Sequence, residues 1–79
     1  MSSKILIVED EFVVANALRL VLKQAGHHVC AIATSADDAE TAVQKSKPDI
    51  VLLDIHLSGK RTGIDLARKL RTENIPFIY

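Results

Sequence analysis

The sequence predicts an α/β fold, a doubly wound parallel sheet in the order βαβαβαβ, on three observations. Short apolar runs at Lys4 to Val8, Ile50 to Leu53 and Pro76 to Tyr79 lack the polar alternation of a half-wet strand, as parallel strands buried on both faces do. The stretches between them repeat apolar residues at helical spacing. The first two runs end in carboxylates, Glu9-Asp10 and Asp54. In an open α/β sheet, ligands gather beyond the C-terminal strand ends where the crossovers reverse. Glu9, Asp10 and Asp54 are therefore expected to meet there as a hard-cation site.

Each element has its own local warrant. Strand one is Lys4 to Val8. Helix one is expected from about Glu11 to Ala25, with Val14, Leu18, Val21, Leu22 and Ala25 as its inner stripe, Val13 and Ala17 widening it, and Gly26 as a left-handed stop. Glu11 opens that helix as a favourable N-terminal charge, and Lys23 lies near its negative end. Strand two is His28 to Ala33. Thr34-Ser35 then offers an N-cap for a second helix whose inner face is Ala36, Ala39 and Val43, with acids in its first turn and Lys45 and Lys47 at its end. Pro48 prevents its continuation. After strand three, residues 55–62 read as a loop, and Ile64, Ala67 and Leu70 mark a third helix that Asn74 and Pro76 terminate. Alternation of this kind implies parallel strands joined by right-handed crossovers.

Composition narrows the function. Seventy-nine residues allow one domain, and a chain of that size buries only about 60% of its unfolded surface. Ten basic and ten acidic residues are interspersed, which argues against a nucleic-acid-binding face on this segment. The single cysteine, Cys30, cannot form an internal disulfide and reads as a small packed hydrophobe. No apolar stretch approaches the roughly 20 residues needed to span a bilayer, and the chain begins without a signal-type segment, so the cytoplasm is the expected compartment.

With Glu9-Asp10 after the first strand and Asp54 placed 44 residues after Asp10, the chain resembles the receiver domain of two-component response regulators from Lys4 to Tyr79. The resemblance implies a flavodoxin-like order of about five strands, of which this sequence reaches the fourth. Residues 1–79 are thus expected to be a receiver domain incomplete at its C-terminus. The hydroxyl residue that follows the fourth strand in the family and the lysine that follows the fifth are not in the sequence. The resemblance further implies that Asp54 is the phospho-acceptor, with Mg²⁺ as cofactor. Asp10 and Asp54 would be direct carboxylate ligands, Glu9 would act largely through water, and the backbone carbonyl of His56 would supply a further oxygen. A hard cation with oxygen ligands fits that donor set, and three carboxylates would repel a phosphoryl group without one. The loop is of a longer family form, since Gly63 lies nine residues past Asp54 and Ser58 stands where proline is frequent.

The implied function is a switch, with phosphoryl transfer from a sensor histidine kinase or phosphotransfer protein to Asp54. Catalysis would be limited to its own phosphorylation and dephosphorylation. Three rivals stand beside it. A haloacid-dehalogenase-type phosphatase wants a second aspartate two residues after the first, where this chain has His56. A flavin- or nucleotide-binding domain wants a glycine-rich phosphate loop after strand one, where Glu9-Asp10-Glu11 stands. A third reading is a fragment that serves only as a dimerisation module, with self-association through the strand-four edge or the helix-one face. His27 and His28 lack partners at zinc-ligand spacing and read as strand-edge residues. Ser58 and Thr62 read as loop and cap residues, and Lys60-Arg61 as a solvated basic pair.

Overall fold

Among the described residues, four strands and three helices alternate: β1 (Lys4–Val8), α1 (Phe12–Gln24), β2 (His28–Ala33), α2 (Ala36–Ser46), β3 (Ile50–Leu53), α3 (Gly63–Thr72) and β4 (Phe77–Ile78). The computed structural model describes residues 3–54, 57 and 62–79. All strands are parallel, and their order β2-β1-β3-β4 is that of the first four strands of the flavodoxin-like sheet. β1 and β3 are therefore neighbours, joined from Ile5↔Ile50 to Val8↔Leu53.

Strand pleating sends alternate side chains to opposite faces, and here each face receives its own helices. Leu6, Val8, Val51 and Leu53 pack with Ala36, Ala39, Val43, Leu66 and Leu70 of α2 and α3. Ile5 and Ile7 meet Ala15 on the other face, with Leu22, Val29, Ile32, Ile50 and Leu52 partly buried around them. The alanine-rich face of α2 is buried as its spacing predicts. Register shifts between Ile5 and Leu6, so that Val29 pairs with Ile5 but Ala31 with Leu6. Cys30 is the extra residue, a β-bulge, and both it and Ala31 pack on the α2/α3 side. Its Sγ–H donates to the Ile5 carbonyl at 3.4 Å.

The helix ends follow local chemistry. The Ser35 hydroxyl accepts from the Asp38 N–H at 3.1 Å, and Thr62 with Asp65 forms a reciprocal capping box at the start of α3. α2 stops at Lys47, which is left-handed at φ 47° because the proline that follows disfavours the right-handed helical region. Gly26, at φ 91°, takes the left-handed position after α1.

Two helix faces differ from their predicted stripes. In α1 the residue completely buried is Ala15, whereas Val13, Val14 and Val21 are exposed and Leu18 is 37% exposed. The small alanine lets the helix approach Ile5 and Ile7, with Leu22 partly buried beside it, while Val13, Val14 and Val21 face away from the sheet. Leu18 instead borders an open cleft of about 350 Å³ with Ile7, Leu52 and Tyr79. In α3 the core residues are Gly63, Leu66, Ala67 and Leu70, and Ile64 is half exposed. β4 is shorter than the apolar run that predicts it.

Candidate metal centre

The ladder sets the site. The Asp54 N–H donates to the Val8 carbonyl at 3.0 Å, and the Glu9 N–H donates to the Ala33 carbonyl at 2.9 Å. Strand pairing thus extends one residue past β1 and β3, and it holds Glu9 and Asp54 side by side at the C-terminal sheet edge. Ligand oxygens of Glu9, Asp10 and Asp54 all lie within 4.8 Å of one another. The three residues expected to converge do so.

Their environments are unequal. Glu9 is buried, while Asp10 and Asp54 are half-buried. Burial pushes the Glu9 carboxyl above the usual range for a glutamate. A hydrogen bond with the Asp54 side chain and the charges of Asp54 and Asp10 add to the rise, and the Glu11 N–H opposes it. That N–H donates to Glu9 Oε1 at 3.2 Å, so Glu9 is oriented by the turn into α1. Glu11 itself occupies the N-cap position, and its side chain caps nothing. The cleft bordered by Leu18 and Tyr79 reaches Glu9 and Asp54 between apolar walls of Ile7, Val8, Leu52 and Leu53, which reduce solvent screening of the charges.

Three crowded carboxylates destabilise one another unless a cation or a proton intervenes. Their oxygens are hard donors with room for water, the chemistry Mg²⁺ prefers, so the donor set fits that ion. The fourth ligand assigned from sequence, the His56 carbonyl, lies outside the described residues, as do Ser58, Lys60 and Arg61. Leu57 is buried among Leu66, Leu70 and the strand residues of the α2/α3 core, and its signal in the sequence is apolar character, shared only with Ile55, in the stretch 55–62. Thr62 is a cap, as its position predicts.

Comparison with known proteins agrees with this architecture. Residues 5–79 match the response regulator receiver domain family. The DNA-binding response regulators MtrA of Mycobacterium tuberculosis (strain ATCC 25618 / H37Rv) and of Mycobacterium leprae (strain TN) are each 38% identical over 79 residues, covering 99% of this chain and 34% of theirs. The chain thus spans about a third of the length of these relatives. Among solved structures, the response regulator PhyR from Brucella abortus superposes with a TM-score of 0.90 at 34% identity, over 99% of this chain and 32% of that one. The receiver domain of Erythrobacter litoralis PhyR gives 0.88 at 33% identity, over 98% and 60%. PhyR from Bartonella quintana in complex with the anti-sigma factor NepR gives 0.91 at 29% identity, over 100% and 33%. The family match, the parallel β2-β1-β3-β4 sheet and the acidic cluster at its edge lead to one assignment: the chain belongs to the response regulator receiver domain family.

Proposed function

We propose that this chain is a phospho-accepting switch in which Asp54 receives a phosphoryl group from a phosphohistidine of a partner sensor kinase or phosphotransfer protein. The observation that supports it is the convergence of Glu9, Asp10 and Asp54 within 4.8 Å at the ends of adjacent strands. One Asp54 carboxylate oxygen forms the new O–P bond as the P–N bond of the donor breaks, and the electron pair stays on the leaving imidazole. Asp54 is a weak nucleophile, so its contribution is placement, with the backbone bond to Val8 anchoring it at the strand end. Asp10 and Asp54 would hold Mg²⁺ directly, Glu9 through water, with the His56 carbonyl as a further ligand. When bound, the ion neutralises phosphoryl oxygens that the carboxylates would otherwise repel. The acyl phosphate then biases a surface that a partner or output domain reads. The cytoplasm, where such kinases present their phosphohistidine, is the proposed site of action.

Acetyl phosphate with Mg²⁺, followed by intact-mass and peptide mapping, tests the assignment. One acid-labile phosphate on Asp54, lost in Asp54→Asn, is the expected result. Phosphate on a serine or histidine defeats it. A second reading, homodimerisation, is favoured by the exposed apolar side chains of Ile78 and Tyr79.

A further inference from the structure

Residues 12–36 contain Arg19, Lys23, His27 and His28 and not one aspartate or glutamate. The fold gathers these four side chains, with Val29, around one cleft of about 240 Å³. The cleft lies where α1 ends and β2 begins. His28 pairs with Lys4, the first residue of β1, so the cleft is at the opposite end of the sheet from Glu9, Asp10 and Asp54.

Two of its groups are held in place. Arg19 donates to Asn16 Oδ1 from Nε at 3.2 Å and from Nη2 at 2.8 Å. One turn of helix thereby fixes the guanidinium plane and leaves the remaining donors of the fork for another acceptor. His27 Nδ1 accepts the Ser3 N–H at 3.3 Å, so the neutral ring carries its proton on Nε2 and is a donor there. The dipole at the end of α1 accounts for Lys23. It does not account for Arg19, a turn earlier, or for two histidines in the following loop and strand. Among the described residues no carboxylate lines the cleft, and the Lys69–Glu40 pair lies away from it, between α2 and α3.

We propose that this cleft binds an oxyanion, supplied either by a free phosphate ion or by a side-chain carboxylate of an acidic protein segment. A pre-oriented guanidinium matches the two-oxygen edge of such a group. Lys23 adds a mobile point charge and His27 a further N–H. Like charges gathered without a counter-ion repel one another, and an anion among them relieves that repulsion. The plain alternative is a solvated basic face, which responds to ionic strength and to no particular anion.

The test is an amide and side-chain NMR titration of the uniformly ¹⁵N-labelled chain at constant ionic strength. One arm adds sodium phosphate against sodium chloride, and another adds hexaglutamate against hexaglutamine. Saturable shifts confined to Ser3, residues 16–29 and the Arg19 side chain are expected, with core amides such as Leu6 and Leu66 unmoved. Arg19→Gln and Lys23→Gln should each weaken binding by up to about fivefold, and the double variant by more. Saturation by phosphate alone identifies a free ion as the occupant, and saturation by hexaglutamate identifies an acidic segment. Shifts no larger than those in chloride and hexaglutamine, or saturation unchanged in the folded double variant, overturn the proposal.

Discussion

Asp54 is tied to Val8 through the last rung between β3 and β1, a 3.0 Å bond from the Asp54 N–H to the Val8 carbonyl. Val8 itself pairs with Leu53, so Asp54 stands level with Glu9, the first of the acid pair. Because backbone bonds set this geometry, substituting any one acid should change the chemistry of the site while the ladder persists.

Divalent-cation binding should depend on Asp10. Asp10→Ala is expected to lower Mg²⁺ affinity, measured by calorimetric titration, by at least the roughly tenfold that outer-shell changes alone produce. The same variant should unfold at an equal or higher temperature in EDTA, since one of three repelling carboxylates is gone. Affinity unchanged from the parent chain would remove Asp10 from the ligand set.

Glu9 should make stability fall as pH rises. Its carboxyl is held above the ordinary value by burial first and by Asp54 and Asp10 after that, so the folded state binds the proton more tightly than the unfolded state. The contribution is fully present below the unfolded value near 4.5 and is lost as pH climbs through the raised folded value. In EDTA, Glu9→Gln should flatten that decline and melt a few degrees higher than the parent at pH 7. Parallel pH profiles for the two proteins would contradict this.

Core and surface leucine-sized residues of α3 should separate cleanly. Leu66 is fully buried and Ile64 is 49% exposed. Leu66→Ala is expected to cost about 2–5 kcal/mol in denaturant unfolding, whereas Ile64→Ala should stay within about 0.5 kcal/mol plus its lost partial burial. On α1, Ala15→Leu should destabilise by about 1–3 kcal/mol through overpacking against Ile5 and Ile7, and Val13→Ser should be nearly neutral.

How far these faces were legible depended on competition among side chains. α2 offers only Ala36, Ala39, Ala42 and Val43 as apolar choices, so spacing identifies its inner side. α1 carries Phe12, Val13, Val14, Leu18, Leu20, Val21 and Leu22 on nearly every side. Periodicity there cannot select a face, and close approach through Ala15 decides instead. The strands and the convergence of Glu9, Asp10 and Asp54 were legible because apolar runs that end in acids fix both position and chemistry. The bulge at Cys30 was not, because one extra residue in a run of small apolar ones leaves no compositional mark.

For a polypeptide of residues 1–79 alone, concentration-dependent self-association is expected through the outer edge of β4. Sedimentation velocity should show a shift toward twice the mass of one chain as concentration rises. Ile78→Lys, which charges that edge as natural edge strands are charged, should return it to one. Association retained in Ile78→Lys but lost in Val13→Glu would transfer the contact to the α1 face, and a monomer at every concentration would refute both.

The bulge in β2 protects one margin of the sheet. A flat outer strand is a template for another strand, whereas an inserted residue kinks the row of N–H and C=O groups out of line. With Cys30 inserted opposite the Ile5–Leu6 step, the β2 margin is a poor template, so strand addition there is discouraged by backbone shape and not by a charged side chain.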